Sequence, residues 1–223
     1  MNILKKRQFV VIGLGRFGSS IAKTLYSLGN DVLAIDLNEE TVQNIADSVT
    51  HAVQADSTDE NSLRTLGISN FDVGVVTIGS NVQGSIMTAL LAKELGVKCI
   101  IAKAHNELHA KVLKKIGVDR VIFPERDMGV RVAHNLVSSN ILDYIELSQD
   151  YSIAEISSPK EWHGKTLKEL DMRSQYGINV MALKRNNEVN ISPSADDIIR
   201  TGDIIVAIGG IEELNRLENK IKK

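Results

Sequence analysis

Residues 9–18 read FVVIGLGRFG, and this stretch decides the fold. An apolar segment that predicts a buried strand, 9–13, runs into glycines spaced Gly-x-Gly-x-x-Gly, and a predicted helix, 19–28, follows. The next predicted strand, 32–36, ends in Asp36. A glycine-rich loop between a strand and a helix, with an acid at the end of the second strand, is typical of the first βαβ unit of a dinucleotide-binding fold.

Each glycine of this loop has a predicted physical role. Gly13 permits the tight turn, Gly15 lets the backbone approach a phosphate, and Gly18 lets the helix pack on the strand. The N-terminus of the helix then presents unpaired N–H groups to an anion. A glycine-rich turn without a ligand is the alternative interpretation. The loop residues predicted to contact a nucleotide are Gly13, Leu14, Gly15, Arg16, Phe17 and Gly18.

Asp36 indicates which nucleotide the loop accepts. Its carboxylate can accept hydrogen bonds from the 2′- and 3′-hydroxyls of a ribose, and it repels a 2′-phosphate. Leu37 and Asn38 follow, so no arginine stands there to receive that phosphate. The sequence therefore predicts NAD(H), ATP or ADP as the ligand and excludes NADP. The alternative is that Asp36 caps the following turn, as aspartate often does.

Short apolar runs alternate with helix-period segments as far as residue 124, which predicts a parallel sheet covered by helices on both faces. We therefore expect an α/β, Rossmann-like doubly wound domain. Leu-Gly or Ile-Gly pairs close four of the predicted helices, where a glycine takes the left-handed conformation at low cost. The remaining predicted strands of this domain are 51–56, 72–78, 98–103 and 120–123, and the remaining predicted helices are 39–47, 59–66, 82–95 and 107–116.

The pattern changes after residue 124. A predicted helix, 125–140, precedes an apolar extension, 141–147, that has no evident strand partner. The following segments predict a small, mostly antiparallel α+β domain, with a hairpin at Asn186-Asn187. We therefore expect domains at 1–146 and 147–223. The predicted strands of the second domain are 152–157, 179–184, 189–191 and 203–208, and its predicted helices are 166–170 and 212–221.

Polar residues follow several strands of the predicted parallel sheet, at the edge where open α/β sheets bind ligands. We predict that Arg16 contacts a terminal phosphate, with a solvated surface arginine as the alternative. Glu125 either helps to hold a cation such as Mg²⁺ at the phosphates or stabilises a helix N-terminus. The further residues predicted to contact the nucleotide are Asp56, Ser57, Gly79, Ser80, Lys103 and Glu125.

Composition excludes several classes of protein. The 223 residues carry 26 Lys and Arg against 28 Asp and Glu, and this near-neutral balance argues against a nucleic-acid binder. Cys99 is the one cysteine, which excludes an internal disulfide framework and a four-cysteine zinc site, and favours the cytoplasm. We expect Cys99 to be a buried core residue and Trp162 to pack in the small domain. The N-terminal segment is too short for a signal peptide.

None of the five histidines stands in a recognisable catalytic context, so we expect a protein that is not an enzyme. His105 and His109 lack the His-Glu-x-x-His motif and are interpreted as surface or helix-start residues. An NAD-dependent oxidoreductase is the alternative, and it needs a catalytic acid or base in the second domain. A redox-sensing transcription factor needs a DNA-binding module that the sequence does not offer.

Two long stretches resemble a known family. The segments QFVVIGLGRFGSSIAKTL (8–25), HAVQADSTDENSLRTLGISNFD (51–72) and KVLKKIGVDRVIFPERDMGVRVA (111–133) are similar to the N-terminal RCK (KTN) domain of the KtrA/TrkA family. Residues 164–218 are similar to the C-terminal RCK subdomain of that family. One such pair, where TrkA proteins usually carry two, is typical of the KtrA-like branch. These proteins are cytoplasmic regulatory subunits of bacterial potassium uptake systems.

The resemblance implies an assembly and a set of ligands. Dimers would form an octameric ring beneath an integral-membrane K⁺-translocating subunit of the KtrB/TrkH type, at the inner face of the membrane. ATP, ADP or NAD(H) would bind the N-terminal domain, with Arg16 sensing the terminal phosphate across the dimer and Glu125 helping to hold a cation. The helix after Glu125 would cross over to a second subunit.

The resemblance also implies a second effector, cyclic di-AMP, at a dimer of the C-terminal subdomain. In this reading Arg173 suits a phosphate, Asn179 a base edge, and Ile178 and Pro193 an apolar wall. An ordinary apolar dimer core is the alternative. The residues implied to form this second site are Leu167, Arg173, Ile178, Asn179 and Pro193.

Overall fold

The computed structural model describes residues 6–137, 141–148, 150–186 and 188–221. The chain divides into two compact units, the first ending at Glu125 and the second beginning at Arg126. The boundary predicted from the sequence, between residues 146 and 147, assigns the helix after residue 124 to the first domain instead. That assignment stays a prediction.

The first unit is a parallel sheet with helices on both faces. Its strands are β1 (Gln8–Ile12), β2 (Asp31–Asp36), β3 (His51–Gln54), β4 (Val73–Val76), β5 (Cys99–Lys103) and β6 (Arg120–Ile122). Its helices are α1 (Arg16–Ser27), α2 (Glu39–Gln43), α3 (Glu60–Thr65), α4 (Val82–Glu94) and α5 (Glu107–Ile116), and α6 (Pro124–Val137) begins at its end. Successive side chains of a strand point to opposite faces, so Val10 and Ile12 enter one core cluster and Val11 the other.

The strand order is β3-β2-β1-β4-β5-β6, and every pairing is parallel. The order reverses between β1 and β4, and the carboxyl ends of these two strands open a crevice where such sheets bind ligands. The doubly wound fold predicted from the sequence is thereby confirmed. Helix α1 begins at Arg16, three residues before its predicted start, because the glycine loop itself forms the first helical turn.

Four of the five predicted helix ends in this unit are also confirmed to within one residue, whereas α2 ends at Gln43, four residues before its predicted end. The four glycines that follow Leu or Ile at these ends, Gly29, Gly67, Gly96 and Gly117, all have positive φ. Cys99 differs from its prediction, since its side chain is only partly buried. It lies at the first position of β5, beside Val73 at the start of β4, where the sheet meets solvent.

The second unit is built on an antiparallel sheet of order β10-β9-β11-β8-β7. Its elements after α6 are β7 (Ile141–Glu146), β8 (Tyr151–Ser157), α7 (Leu167–Leu170), α8 (Met172–Tyr176), β9 (Asn179–Arg185), β10 (Glu188–Asn190), β11 (Ile204–Gly210) and α9 (Ile211–Ile221). The apolar extension finds its partner here, because β7 pairs with β8. Helix α8 was not predicted; it is a single short turn between Asp171 and Gly177, both in the left-handed conformation.

The core of the second unit contains the expected tryptophan and an unexpected ion pair. Trp162 is buried, and its ring lies 5.6 Å from that of Tyr176. Asp203 is fully buried and accepts two hydrogen bonds from the Arg185 guanidinium, at 2.8 and 2.7 Å, and a third from the backbone N–H of Arg200 at 2.8 Å. These bonds stabilise the ionised form, so the pKa of Asp203 is lowered, chiefly by Arg185.

Replacing Asp203 with alanine is expected to destabilise the second unit by about 3 kcal/mol, because Arg185 loses its buried partner. Trp162 is the one tryptophan of the sequence, so its fluorescence in urea reports unfolding of this unit. Asp196→Ala, at an exposed position of the same unit, is the matched control and should change the free energy of unfolding by less than about 0.5 kcal/mol. Equal effects of the two substitutions would contradict the conclusion that the ion pair of Asp203 with Arg185 stabilises the second unit.

The same experiment has a pH dependence of known sign. A carboxyl with a lowered folded pKa stabilises the fold fully above its ordinary pKa, about 3.9 for aspartate, and loses that contribution as the pH falls through the folded pKa. The free-energy difference between wild type and Asp203→Ala should therefore be constant from about pH 6 to 8 and shrink below about pH 4.

Candidate functional site

A cavity of about 710 Å³ opens at the point where the strand order reverses. This volume suits a drug-sized or cofactor-sized ligand. The predicted contact residues that line it are Gly13, Gly15, Arg16, Phe17, Asp36, Asp56, Ser57, Gly79, Ser80, Lys103 and Glu125. The two remaining loop residues do not line it: Leu14 and Gly18 are buried beneath the loop. The structure thus brings nearly all of the predicted residues to one place.

The glycine loop is held by close backbone contacts. Gly13 has φ +93°, and a Cβ atom there would lie 2.9 Å from the backbone nitrogen of Ile78, so the position requires glycine. A Cβ atom on Gly18 would overlap the carbonyl oxygen of Gly13. The hydroxyl of Thr77 donates to the same carbonyl at 2.5 Å. Gly15, in contrast, has open space where its Cβ would be, so its backbone is accessible from the cavity.

The N-terminus of α1 differs from those of α2, α3, α4 and α5. Helices α2, α3, α4 and α5 each begin with a side chain that accepts backbone N–H hydrogen bonds, from Asn38, Asp59, Asn81 and Asn106 respectively. Helix α1, which begins at Arg16, has Gly15 at its N-cap, no side-chain cap and no acidic residue in its first turn. Its first N–H groups therefore remain for an anion, which the helix dipole also favours.

Asp36 lies between the loop and the turn that follows β2. One carboxylate oxygen accepts the N–H of Leu14 at 2.5 Å, and the other accepts the N–H of Asn38 at 2.9 Å. The turn-capping interpretation of Asp36 is thus part of its role. Each carboxylate oxygen has a second lone pair, and Asp36 faces the cavity. In the same orientation Asp36 can therefore cap the turn and accept the hydroxyls of a ribose.

The end of β3 is fixed by two hydroxyl networks. Thr58 donates from its backbone and its hydroxyl to one oxygen of Asp56, at 2.8 and 2.7 Å, and these bonds lower the pKa of Asp56. Ser57 is buried and shares a 2.9 Å hydrogen bond with the hydroxyl of Thr88 on α4. Asp56 is therefore an ionised, exposed group at one end of the cavity, whereas Ser57 is held in place by α4.

Lys103 and Glu125 form an ion pair in the same cavity. The Lys103 side chain is 12% exposed and that of Glu125 69% exposed. The hydrogen bond from Lys103 is the main cause that lowers the pKa of Glu125. Across the described ranges, no cluster of three or more His, Cys, Asp or Glu side chains is arranged to hold a metal ion. The donor set around Glu125 thus fits a cation only together with phosphate oxygens, as Mg²⁺ sites often do.

Several residues of the cavity escaped the sequence analysis. Thr77 carries the clearest signal that was overlooked, since a hydroxyl residue at the end of β4 faces the glycine loop across the switch point. Asn81 is recognisable as a helix cap three residues before Gly84. The unpredicted lining residues are Ile12, Ile35, Leu37, Thr41, Thr58, Thr77, Ile78, Asn81 and Gly84.

The residues implied for the second effector lie on several elements of the second unit. Arg173 and Asn179 are exposed, on α8 and at the start of β9, and Leu167 and Pro193 are half-buried. Ile178 differs from expectation. Its side chain is fully buried in the core of this unit, so it offers no apolar wall to a ligand in this conformation.

His109 is at a helix start but is not a surface residue. It lies in the first turn of α5, is buried, and its Nδ1 accepts the N–H of His105 at 3.2 Å. Burial lowers its pKa, and the nearby His105 lowers it further. The lining of the cavity, all of it within the described residues, includes no histidine.

Among the helices described, none has the length and apolar character needed to cross a bilayer.

The doubly wound sheet with its glycine loop, followed by the small antiparallel unit, defines a Rossmann-like domain joined to an α+β domain. Family models match both parts: the TrkA-N domain at residues 9–124 and the TrkA-C domain at 151–222. The chain therefore belongs to the TrkA-N/TrkA-C family, the RCK regulatory domains of potassium transport proteins.

Relatives in bacteria resemble the chain over its whole length. It is 50% identical to the Ktr system potassium uptake protein C of Bacillus subtilis (strain 168), over 97% of this chain and 98% of that protein. It is 47% identical to the Ktr system potassium uptake protein A of the same organism, over 99% of both chains. Over 97% of both chains, it is 38% identical to the protein A of Vibrio alginolyticus.

Solved structures share the fold at lower identity. The GsuK RCK domain is 17% identical with a TM-score of 0.70, and the match covers all of this chain and 49% of that one. The GsuK channel bound to NAD is 16% identical with a TM-score of 0.67, over 98% of this chain and 40% of that chain. These matches bear out the α/β and α+β architecture of the two units.

Thr77→Val is expected to lower the free energy of unfolding by about 1 kcal/mol, because the carbonyls of Gly13 and Ile12 lose a buried donor. Thr77→Ser keeps the hydroxyl and should lose less than about half as much. Scanning calorimetry of the full chain measures both. A valine variant as stable as the wild type would mean that side-chain packing, which valine preserves, and not the hydrogen bond, holds the loop.

Proposed function

We propose that this chain is the regulatory subunit of a bacterial potassium uptake system and that its first unit binds an adenine nucleotide: ATP, ADP or NAD(H). The observation that carries the proposal is the uncapped N-terminus of α1, which meets a 710 Å³ cavity at the switch point of the sheet. Two relatives at 47–50% identity over nearly the whole chain, both Ktr system potassium uptake proteins, supply the physiological context.

The chemistry of the cavity suits such a ligand. Phosphates take the N–H groups of Gly15 and the first turn of α1. The free lone pairs of Asp36 accept the ribose hydroxyls. Arg16 is exposed beside the loop, where its fork of donors suits a terminal phosphate of the same or a neighbouring subunit. Mg²⁺ or another cation joins the phosphates through Glu125 once a phosphate supplies further oxygen ligands.

The regulation is allosteric. A nucleotide shifts an equilibrium between two conformations only by the difference in its affinity for them, and a near-complete switch needs about 5.5 kcal/mol. In the proposed octameric ring, built from dimers, eight sites each contribute a fraction of that difference. ADP lacks the terminal phosphate of ATP and so cannot make that phosphate's contacts with charged groups. The loss of these contacts is a suitable source of the difference in affinity between the two conformations.

The proposed partners are a second copy of the chain and a membrane subunit of the KtrB/TrkH type that conducts K⁺. Helix α6 exposes Met128, Val132 and Leu136 at helical spacing, and an apolar stripe of this kind suits a crossover to a second subunit. The ring would then lie in the cytoplasm against the inner face of the membrane. Nucleic acid is not a proposed partner.

We further propose that the second unit binds cyclic di-AMP at a two-fold interface, where each copy repeats the same groups. Arg173 and Asn179 are exposed and available for this role. Ile178 contributes through its backbone unless the core rearranges, because its side chain is buried.

The proposed activity is regulation and not catalysis. An NAD-dependent oxidoreductase would need an acid or base near the nicotinamide, and Lys103, a candidate that lines the cavity, is engaged with Glu125. Oxidation of NADH by 2-oxo acids, or reduction of NAD⁺ by 2-hydroxy acids, is the activity that would support the enzyme instead.

The nucleotide preference tests the proposal directly. ATP, ADP and NADH should bind the full chain at least ten-fold more tightly than NADPH, a difference of about 1.4 kcal/mol, because Asp36 repels a 2′-phosphate. Calorimetric titration measures the four affinities. Asp36→Asn should weaken the binding of NADH and reduce the ratio of NADH affinity to NADPH affinity. Asp47 is an exposed carboxylate outside the cavity, so Asp47→Asn should change neither the NADH affinity nor this ratio. Equal binding of NADH and NADPH by the wild type would overturn the assignment.

Arg16 is expected to distinguish ATP from ADP. If it contacts the terminal phosphate, Arg16→Ala removes a charge-assisted hydrogen bond worth about 1.5–3 kcal/mol from the ATP complex only. The ratio of the two dissociation constants should therefore change by at least about ten-fold. Lys23→Ala, an exposed cation on the same helix, is the control. An equal loss for both nucleotides would make Arg16 a general loop residue.

A further inference from the structure

Lys103 is a nearly buried cation with a largely exposed partner. Its side chain is 12% exposed, and its Nζ contacts the Glu125 carboxylate, which is 69% exposed. A lysine ammonium group has three donors. Within residues 6–137, Glu125 is the acceptor that the ammonium contacts. Because removing a charge from water is costly unless its hydrogen bonds are satisfied, the ammonium has further capacity for an anionic acceptor.

The free donors of Lys103 belong to the cavity and not to the outer surface. Lys103 ends β5, beside the end of β4, and lines the same cavity as Gly15 and Arg16. Its Nζ lies 3.6 Å from the place that a Cβ atom on Gly79 would occupy. The ammonium therefore lies at the wall of the cavity that Gly79 also lines.

We propose that Glu125 and the phosphate of a bound nucleotide compete for the Lys103 ammonium. The inference rests on the proposed function, since it requires a phosphate ligand in the cavity. Without nucleotide, Glu125 neutralises Lys103. A terminal phosphate carries more charge and more acceptor oxygens than a carboxylate, so Lys103 turns to it and releases Glu125. Lys103 is thus a specificity-determining residue that favours ligands with a terminal phosphate.

The exchange couples the phosphate to the cation. A carboxylate that is paired with an ammonium group is a poor ligand for Mg²⁺, whereas the released Glu125 carboxylate stands beside the phosphate oxygens that complete such a site. Divalent cations should therefore bind the nucleotide complex more tightly than the empty chain. By linkage, the cation raises the affinity for the nucleotide by the same factor.

Opposite effects of two substitutions test the competition. The full chain, stripped of nucleotide, is titrated in EDTA with ADP and with adenosine. Lys103→Met keeps the buried aliphatic stem and should weaken ADP about ten-fold or more, with adenosine changed less than about two-fold. Glu125→Gln removes the competitor and should tighten ADP about three- to ten-fold. Lys111→Met, at an exposed position of α5, is the control and should leave both affinities unchanged.

The outcomes separate this inference from the proposed function. Two outcomes would overturn the proposed competition for Lys103 while leaving the nucleotide site in place. One is weaker ADP binding by Glu125→Gln in EDTA. The other is a ratio of ADP affinity to adenosine affinity that is unchanged in Lys103→Met. A wild type that binds neither ligand would overturn both. If Lys103→Met lowers the melting temperature strongly, Glu125→Gln alone decides, because a merely structural ion pair would not strengthen ADP binding when it is broken.

Discussion

The close approach of Gly18 to the carbonyl of Gly13 places the N-terminus of α1 at the switch point of the sheet, and the candidate site depends on it. Only glycine at both positions allows the helix to start directly against the loop. Thr77 then ties the loop to β4 across the reversal of strand order. The result is a helix end that has neither a side-chain cap nor an acid of its own, whereas α2, α3, α4 and α5 all begin with a side-chain cap.

Charged side chains of the first unit line the cavity at the N-terminus of α1. Asp36 accepts hydrogen bonds from the glycine loop, at Leu14, and from its own turn, at Asn38. Asp56 accepts two from Thr58 in its own turn, and these lower the pKa of Asp56. The Asp56 carboxylate is thus held in its ionised form while both acids fix the local backbone. Among the described residues of the first unit, the ammonium of Lys103 contacts one carboxylate, that of the exposed Glu125, although it has three donors. The remaining donors of Lys103 suit the phosphate of the nucleotide that we propose as the ligand.

Much of the fold was predictable because two periodicities and one spacing determine it. The alternation of strands and helices up to residue 124, with glycines closing the helices, predicts the parallel sheet, and the Gly-x-Gly-x-x-Gly spacing locates its crevice. The antiparallel second sheet followed from its short strands and turn residues. Helix α8 could not be found, since five residues are too few for a helical period.

The site was less predictable than the fold for a physical reason. Sequence position identifies which residues stand at strand ends, but not which partner each side chain takes. The bond from Thr77 to the glycine loop and the ion pair of Lys103 with Glu125 depend on contacts between elements far apart in the chain. The burial of Ile178 is of the same kind, because its position at the start of β9 gives no sign that the core of the unit closes over it.

Hydrogen–deuterium exchange of the loop tests the central claim most directly. The full chain is exchanged with and without saturating ADP, and with adenosine as the matched ligand that lacks phosphate. The account predicts that ADP slows exchange of the amides of residues 15–18, at the start of α1, by at least ten-fold, about 1.4 kcal/mol, and that adenosine leaves them nearly unchanged. Equal exchange of these amides with and without ADP, at a concentration where ADP is bound, would contradict it.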